Sequence, residues 1–336
     1  MATFVCFGEV LLRLAAQSPA LLMQEGKLDA TFCGAEANVA VGLNGFGHRT
    51  RMVSLLPDNR IGDAAKGELA RFGVQTDDIK SLPGRMGLYF LTPGAMSRPA
   101  EIIYDRADSV FAKLDPAAFD WPGIFAEADW LFVGGITAAL GDGALSALRQ
   151  SMACARKIGV KVAFDCNFRP SLWLGREAEA AGIFLELSRQ ADLVLAGRRA
   201  IGMMLGQSFD HDDPETGFLA AADALFAVSS ATQAIAATRR IVETASRHRL
   251  TGLLADRQGL AASDTLMLDG IVDRIGTGDA FAAGLLHGLA SGMDRRQTVA
   301  FATAAAQWCH GVSGDFLRAS AADIESLQSG QLDVRR

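Results

Sequence analysis

The run Asp273-Arg-Ile-Gly-Thr-Gly-Asp279-Ala-Phe-Ala-Ala-Gly284 joins a glycine-containing turn to an apolar, small-residue segment that continues to Leu289. Its glycines allow the backbone to turn sharply, and the segment from Ala280 to Leu289 predicts a helix that starts there. A helix N-terminus presents unpaired amides and a positive dipole end, which together favour an anion. The stretch therefore predicts an anion site at the start of a helix.

Asp279 falls in the first turn of this predicted helix. There it can accept the proton of an attacking hydroxyl while the backbone of Gly276, Thr277 and Gly278 holds the developing charge. We interpret the combination as the catalytic part of a phosphoryl-transfer site. The same pattern also forms an ordinary loop into a helix, with the aspartate as N-cap. No Gly-Lys-Ser/Thr occurs in the chain, which argues against a P-loop enzyme.

Composition favours a small-molecule partner. Of the 336 residues, 50% are hydrophobic and 21% are charged, so the chain can bury a large core. The net charge of −6, with no Lys/Arg run longer than a pair, argues against a nucleic-acid surface. We expect no membrane partner and a cytoplasmic protein, because we see neither a leader peptide nor an apolar stretch of about 18 residues.

Cysteine and histidine give little support for metal chemistry. The five cysteines are widely spaced and lack a Cys-x-x-Cys pair, which predicts buried, inert thiols. The five histidines form no His-x-x-x-His or Cys/His cluster. We therefore expect no metal site built from protein side chains.

Short apolar runs alternate with longer helical patterns such as Asp142–Lys157 and Thr298–Cys309. This alternation predicts parallel strands with crossover helices, an α/β layered core. In such a sheet Asp165-Cys-Asn-Phe-Arg169 and the Gly276–Asp279 turn would share the cleft at the strand carboxyl ends. The runs are Phe4–Gly8, Trp130–Gly134, Val160–Asp165, Leu193–Ala196, Ala234–Thr238 and Gly252–Ala255.

Two β-rich segments, Met86–Leu91 and Ala100–Arg106, interrupt this pattern and predict a hairpin outside the core. They contain both tyrosines of the chain, Tyr89 and Tyr104, and alternation places Ile102, Tyr104 and Arg106 on one face. We interpret the hairpin as a lid over a polar ligand. A solvent-facing hairpin with isolated aromatic residues is the alternative.

Several motifs together resemble the ribokinase-like (PfkB) carbohydrate kinases, and most closely their 2-keto-3-deoxygluconate kinase branch. The resemblance implies a single ribokinase-like domain over residues 1–330: a three-layer α/β/α core with a mainly parallel sheet and a small β-sheet lid. Lid strands are expected from about 9–33 and 84–112, and a flexible tail at 331–336. The motifs are Gly8-Glu-Val-Leu-Leu-Arg-Leu14, Gly34-Ala-Glu-Ala-Asn38, Leu56-Pro-Asp-Asn-Arg-Ile-Gly62, Tyr104-Asp-Arg106, Asn167-Phe-Arg169-Pro-Ser-Leu-Trp173 and Gly314-Asp-Phe316.

A keto-deoxy sugar acid carries a carboxylate and several hydroxyls, so its site needs a cation, polar groups and close backbone approach. Arg106 and Arg169 are the leading partners for its oxygens, although either could be a surface arginine. Arg13 stands where ribokinases use an aspartate, and is expected to favour an acidic substrate. The expected substrate-binding residues are Arg13, Gly34, Ala35, Asn38, Tyr89, Tyr104, Arg106, Asn167, Arg169 and Asp279.

For ATP the resemblance implies a groove beyond Gly276 and Gly278, bordered by Thr238 and Gly259, with helix Thr298–Cys309 beside adenine. A packing role for Gly259 and for that helix is the alternative. Family members usually carry Asn-x-x-Glu where this chain has Gly197-Arg-Arg-Ala200, so the acidic support for Mg²⁺ is missing. Either the metal requirement is higher, or Arg198 and Arg199 contact phosphate directly.

The resulting hypothesis is ATP-dependent and Mg²⁺-dependent phosphorylation of the terminal hydroxyl of 2-keto-3-deoxygluconate, with Asp279 as base. A kinase for fructose, ribose or the galactonate epimer is the nearest alternative. A sugar- or nucleotide-binding relative with weak catalysis is another, motivated by Gly197–Ala200. The lid is a candidate surface for a homodimer.

Overall fold

The structure is a computed structural model that describes residues 1–330, so the prediction for 331–336 lies outside the described residues. The strands are β1 (Thr3–Phe7), β2 (Leu11–Ala15), β3 (Asp29–Cys33), β4 (Arg49–Pro57), β5 (Ile79–Leu82), β6 (Gly87–Thr92), β7 (Glu101–Asp105), β8 (Trp130–Gly134), β9 (Lys161–Asp165), β10 (Leu193–Leu195), β11 (Ala234–Thr244), β12 (Arg247–Asp256), β13 (Gly259–Ala262) and β14 (Leu266–Asp269). The helices are α1 (Ala35–Gly45), α2 (Arg60–Arg71), α3 (Trp121–Ile124), α4 (Gly135–Ala139), α5 (Asp142–Ile158), α6 (Glu177–Ser188), α7 (Arg198–Leu205), α8 (Pro214–Val228), α9 (Thr277–Ala290), α10 (Arg295–His310) and α11 (Ala321–Gln328).

A ten-stranded sheet forms the middle layer, in the order β13-β12-β11-β10-β9-β8-β1-β4-β5, with β14 also paired to β12. Pairing is parallel from β5 to β11. Strands β11 and β12 are antiparallel, because the two residues between them leave no room for a crossover helix. The expectation of a parallel strand at Gly252–Ala255 was therefore wrong, while the mainly parallel α/β core is confirmed.

Alternation in β1 shows how the sequence fills both sides of this sheet. Phe4 and Cys6 belong to one buried cluster, whereas Val5 and Phe7 belong to the other. The four side chains are fully buried, as expected for a central strand covered on both faces. Helices on each side complete the predicted three layers.

A second, four-stranded sheet in the order β3-β2-β6-β7 lies apart from the core. Only its β2–β6 pair is parallel. Its strands fall within the ranges predicted for a lid, and we call it the small sheet. Its register places Tyr89 opposite Tyr104 and Arg13 beside Tyr89.

Helices α1 and α9 pack side by side, and this contact positions the functional cleft. An added Cβ at Gly42 would lie 3.0 Å from the Ala283 side chain, so only a very small residue allows this approach. One helical turn earlier on each helix stand Asn38 and Asp279. The close crossing therefore brings the first turns of α1 and α9 together.

Candidate active site

A cleft of about 1200 Å³ opens between the small sheet and the carboxyl ends of the core strands. Its lining brings together most of the residues predicted from the sequence. These are Gly34, Ala35, Asn38, Tyr89, Tyr104, Arg106, Asn167, Arg169, Thr238, Gly276, Thr277, Gly278 and Asp279. No helix among the described residues is long and apolar enough to cross a bilayer.

The turn before α9 has a backbone that only glycine accommodates easily. Gly276 has φ of 78°, and a Cβ there would lie 2.1 Å from the carbonyl oxygen of Asp315. Helix α9 begins at Thr277, three residues earlier than predicted, and its Ala280 amide bonds back to the Gly276 carbonyl. The amides before Ala280 have no acceptor within the helix, which leaves them available to an anion at this end of the cleft.

Asp279 lies in the first turn of α9, as predicted, with its side chain held by α1. Asn38 Nδ2 donates to Asp279 Oδ2 at 2.6 Å, and Asn38 Oδ1 accepts from the Gly34 amide at 3.3 Å. Asn38 is buried, so these contacts fix which oxygen of Asp279 is occupied. The second oxygen, Oδ1, has no hydrogen-bond partner among residues 1–330.

Acidic side chains crowd this part of the cleft. Burial raises the pKa of Asp279 well above its usual range, opposed by the Asn38 hydrogen bond and reinforced by Asp165, Asp315 and Glu36. Burial, with the charge of Asp165, also raises the pKa of Glu36 to about 7, against a hydrogen bond to its own backbone. Burial raises the pKa of Asp165 to about 6, opposed by Arg169. The cleft therefore favours a bound cation, or a ligand that arrives with one.

The small sheet contributes one wall through β6 and β7. Tyr89 and Tyr104 contact each other with ring centroids 5.8 Å apart. Arg106 directly follows β7, and its Nε donates to Glu9 Oε2 at 2.9 Å. A substrate carboxylate at Arg106 would therefore share this guanidinium with Glu9, which is buried. Sequence reasoning placed Arg106 in the cleft but missed Glu9.

The loop after β9 contributes the opposite wall. Asp165 Oδ1 accepts the Asn167 amide at 3.0 Å, and Asn167 has φ of 38°, a conformation uncommon for residues other than glycine. This tight turn aims the loop into the cleft, and Arg169 follows with an exposed side chain. An exposed guanidinium that lines the cleft is available to an incoming acidic group.

Three positions differ from their predicted locations. Arg13 does not line this cleft: it is buried and pairs with Asp273 at 2.5 Å and Asp315 at 2.6 Å, so its predicted substrate contact is corrected to an internal one. Gly259 also lies outside the lining and accepts a hydrogen bond from Arg295. Helix α10 does not line the cleft. It packs on β12, which is the alternative that its small residues also allowed.

At Gly197-Arg-Arg-Ala200 the two arginines point differently. Arg199 is exposed and lines the cleft, whereas Arg198 donates to the Phe209 carbonyl at 3.5 Å. The lining also includes Arg240 and Arg274, which sequence reasoning did not select. A signal existed for Arg240, because it stands two residues after Thr238 and so shares its strand face.

Comparisons with known proteins agree with this geometry. The chain belongs to the pfkB family of carbohydrate kinases, whose family model matches residues 1–317. Its match to a 2-dehydro-3-deoxygalactonokinase from Haloferax volcanii is 30% identical and covers 98% of this chain and 97% of the relative. A 2-dehydro-3-deoxygluconokinase from Thermoproteus tenax is 26% identical, with coverage of 94% and 90%.

A solved structure supports the same grouping. The crystal structure of 2-dehydro-3-deoxygluconokinase from Thermotoga maritima superposes with a TM-score of 0.94 at 34% identity, covering 98% of this chain and 100% of that one. The predicted family and ribokinase-like fold are thereby confirmed, and the protein is a carbohydrate kinase.

Proposed function

We propose that this kinase transfers the terminal phosphoryl group of ATP to the terminal hydroxyl of 2-keto-3-deoxygluconate, giving the 6-phosphate. The observation that carries the proposal is the Asn38–Asp279 contact at the start of α9, which joins a positioned base to an anion site. The names of the similar proteins from Haloferax, Thermoproteus and Thermotoga support a keto-deoxy sugar acid as acceptor.

In this mechanism the sugar acid lies between the small sheet and the loop after β9. Arg169 and Arg106 attract its carboxylate, while Tyr89 and Tyr104 form the wall of the small sheet against which it packs. Its terminal hydroxyl then reaches Asp279, whose free oxygen takes the proton as the hydroxyl oxygen attacks the γ-phosphorus of ATP and the bond from that phosphorus to the leaving ADP breaks. Burial raises the pKa of Asp279, which makes it a stronger proton acceptor than an exposed aspartate.

Charge that develops on the transferred group is stabilised by the amides at Gly276–Asp279. The residues present suit a polyphosphate, because amides and arginines line this end of the cleft. Among residues 1–330 no group of three or more acidic, His or Cys side chains could hold a metal ion. Mg²⁺ would therefore be held mainly by nucleotide oxygens and water, and would neutralise phosphate charge there.

The testing experiment measures ADP release from the purified protein with ATP and Mg²⁺. The acceptors are 2-keto-3-deoxygluconate, its galactonate epimer, fructose and ribose. Selective turnover of the gluconate compound supports the proposal, and turnover of sugars without a carboxylate contradicts it. The epimer is a specific competitor because the Haloferax relative is named for it. Higher kcat/KM for the epimer would reassign the substrate and leave the mechanism unchanged.

A further inference from the structure

Two arginines in the cleft stand close together without a carboxylate partner. Arg240 lies on β11 and Arg274 lies two residues before Gly276, and both line the cleft. Although Arg240 is exposed to the open cleft, the walls displace much of its water. This desolvation, together with the charge of Arg274, lowers the pKa of Arg240. Neither arginine forms an ion pair with any acidic residue among residues 1–330.

Asp273, the residue before Arg274 in sequence, already has hydrogen-bond partners on both carboxylate oxygens. Its Oδ2 accepts from Arg13 at 2.5 Å and from the Gly314 amide at 3.3 Å. Its Oδ1 accepts the backbone amides of Arg274 and Ile275 at 2.7 and 3.1 Å. Asp273 therefore neutralises Arg13 and shapes the turn, and it leaves the side chain of Arg274 without a counter-ion.

The groups behind the pair add no negative charge. His248 and His310 are buried and their rings contact edge to face. Burial, with repulsion from Arg240 and Arg274, lowers the pKa of His248. Burial also lowers the pKa of His310 to about 4, against a hydrogen bond to a backbone carbonyl. Both histidines are therefore neutral near pH 7.

Arg274 also has a buried donor without an acceptor. Its Nε has no hydrogen-bond partner within the described chain, although nearly all buried polar groups in proteins have one. Two like charges held together and a donor left open are costly, unless an anion binds both. This end of the cleft is therefore built for an anion that the protein does not itself supply.

We propose that Arg240 and Arg274 together bind the β- and γ-phosphates of ATP, in line with the anion turn at Gly276–Asp279. This inference rests on the proposed kinase function. Arg274 is tied to the turn, because its carbonyl accepts the Thr277 hydroxyl at 3.0 Å. A guanidinium also forms two parallel hydrogen bonds to phosphate, which suits both positions. The pair supplies positive charge in a cleft where Gly197–Ala200 carries no acidic metal support.

The location of Arg240 and Arg274 in the cleft favours ATP phosphate over the sugar carboxylate as their ligand. Arg169 follows β9, and β10 separates β9 from β11, which carries Arg240. Arg274 precedes the turn whose amides face the transferred group. Arg240 shares a face of β11 with Thr238, which the family resemblance places at the border of the nucleotide groove, while Arg169 lies two strands away among the residues proposed for the sugar.

The test measures nucleotide binding by isothermal titration for the wild type, Arg240→Gln, Arg274→Gln and Arg274→Lys. The probes are ADP, AMP and pyrophosphate, each with and without Mg²⁺. Arg239→Gln is the matched control: Arg239 is the neighbouring residue of β11 and contacts Thr251 at 3.3 Å instead of lining the cleft. Thermal unfolding verifies that each variant is folded.

We expect each glutamine variant to bind ADP and pyrophosphate about tenfold to a hundredfold more weakly, because charge-assisted hydrogen bonds are lost. AMP affinity should change less than about threefold. Arg274→Lys should recover part of the loss, and Arg239→Gln should match the wild type.

Different failures are distinguishable. Wild-type protein that does not bind ADP would contradict the proposed function itself. Wild-type binding of ADP that survives Arg240→Gln and Arg274→Gln unchanged would overturn the assignment of the pair. A raised KM for the sugar acid, with ADP affinity unchanged, would also overturn it and move the pair to the substrate. If Arg274→Gln does not fold, the ADP affinity of Arg240→Gln alone decides the assignment.

Discussion

Asn38 and Asp279 are 241 residues apart in the chain, and their side chains meet at 2.6 Å in the cleft. The amide nitrogen of Asn38 donates, so the hydrogen bond stabilises the ionised form of Asp279. Burial acts in the opposite direction. The basicity of this carboxylate is thus set by a balance between burial among other carboxylates, which raises its pKa, and the Asn38 hydrogen bond, which lowers it.

Asp279→Asn is expected to lower kcat by about a thousandfold, because the side chain can no longer accept the proton. KM for both substrates should change less than about threefold, since the replacement keeps shape and hydrogen bonding. Steady-state kinetics of ADP release measure both constants. Asp269→Asn, at an exposed carboxylate paired with Arg247, is the control. Retention of a tenth of wild-type kcat would remove Asp279 from the role of base.

Asn38→Ala should move the acidic limb of the kcat/KM profile to higher pH. The removed hydrogen bond lowers the pKa of Asp279, so its loss raises that pKa and protonates the base earlier as pH falls. A pH series of kcat/KM at low sugar concentration reports this free-enzyme pKa. A uniform loss of activity at all pH values would instead indicate that Asn38 acts only in substrate binding.

Glu36→Gln should stabilise the protein at pH 8. Because burial raises the pKa of Glu36 to about 7, the folded state holds its proton more tightly than the unfolded state. Stability from this group is therefore greatest at low pH and falls as pH rises through the folded pKa. The free energy of unfolding should increase on the order of 2 kcal/mol at pH 8 and change little at pH 5.

Denaturant titration at the two pH values measures this difference. Glu127→Gln, at an exposed glutamate, serves as the control and should change stability equally little at both. Equal stabilisation by Glu36→Gln at pH 5 and pH 8 would show that charge burial is not its cause.

The two turn glycines should respond differently to alanine. Gly276→Ala places a Cβ 2.1 Å from the Asp315 carbonyl oxygen at a φ of 78°. The free energy of unfolding should therefore fall by about 2 kcal/mol or more, with a lower Tm. At Gly278 a Cβ meets no protein atom within 4 Å and is exposed at the cleft. Gly278→Ala should keep its Tm and yet reduce kcat/KM for ATP. Unchanged kinetics would show that the transferred group passes elsewhere.

Arg13→Met should lower the free energy of unfolding by about 3–5 kcal/mol, because it leaves the buried Asp273 and Asp315 without their cation. The comparison is Arg247→Met, which removes an exposed pair and should change the free energy of unfolding far less. Denaturant unfolding of both variants checks the difference. A change confined to the KM of the sugar acid would restore Arg13 to the substrate site.

Local pattern was sufficient to predict much of this molecule. The apolar runs located β1, β8, β9 and β10 to within a residue or two, because central strands covered on both faces are short and continuously hydrophobic. Strand β4 was missed, since Arg49 and Arg51 lie among its apolar residues and mask the pattern. Asp279 was recognisable because turn, helix start and carboxylate are adjacent in sequence.

The failures share another cause. Arg13 was assigned to the substrate because its partners, Asp273 and Asp315, are distant in sequence and no local pattern reveals such a pairing. For the same reason the Glu9–Arg106 pair and the open cationic pair at Arg240 and Arg274 emerged only from the structure. Charges are easily read along a chain, but whether a charge is already neutralised depends on tertiary contacts.

The pairing of Arg13 with Asp273 and Asp315 sets an order of assembly during synthesis. Its partners emerge from the ribosome 260 and 302 residues after it, so the growing chain carries this arginine unsatisfied for nearly the whole of translation. The contacts that join β2 of the small sheet to Asp273 and Asp315 can form only after both acidic residues have been made. A chain that stops short of Asp315 would therefore hold Arg13 with only one of its two counter-ions, and the small sheet would lack the ion pair that joins it to Asp315.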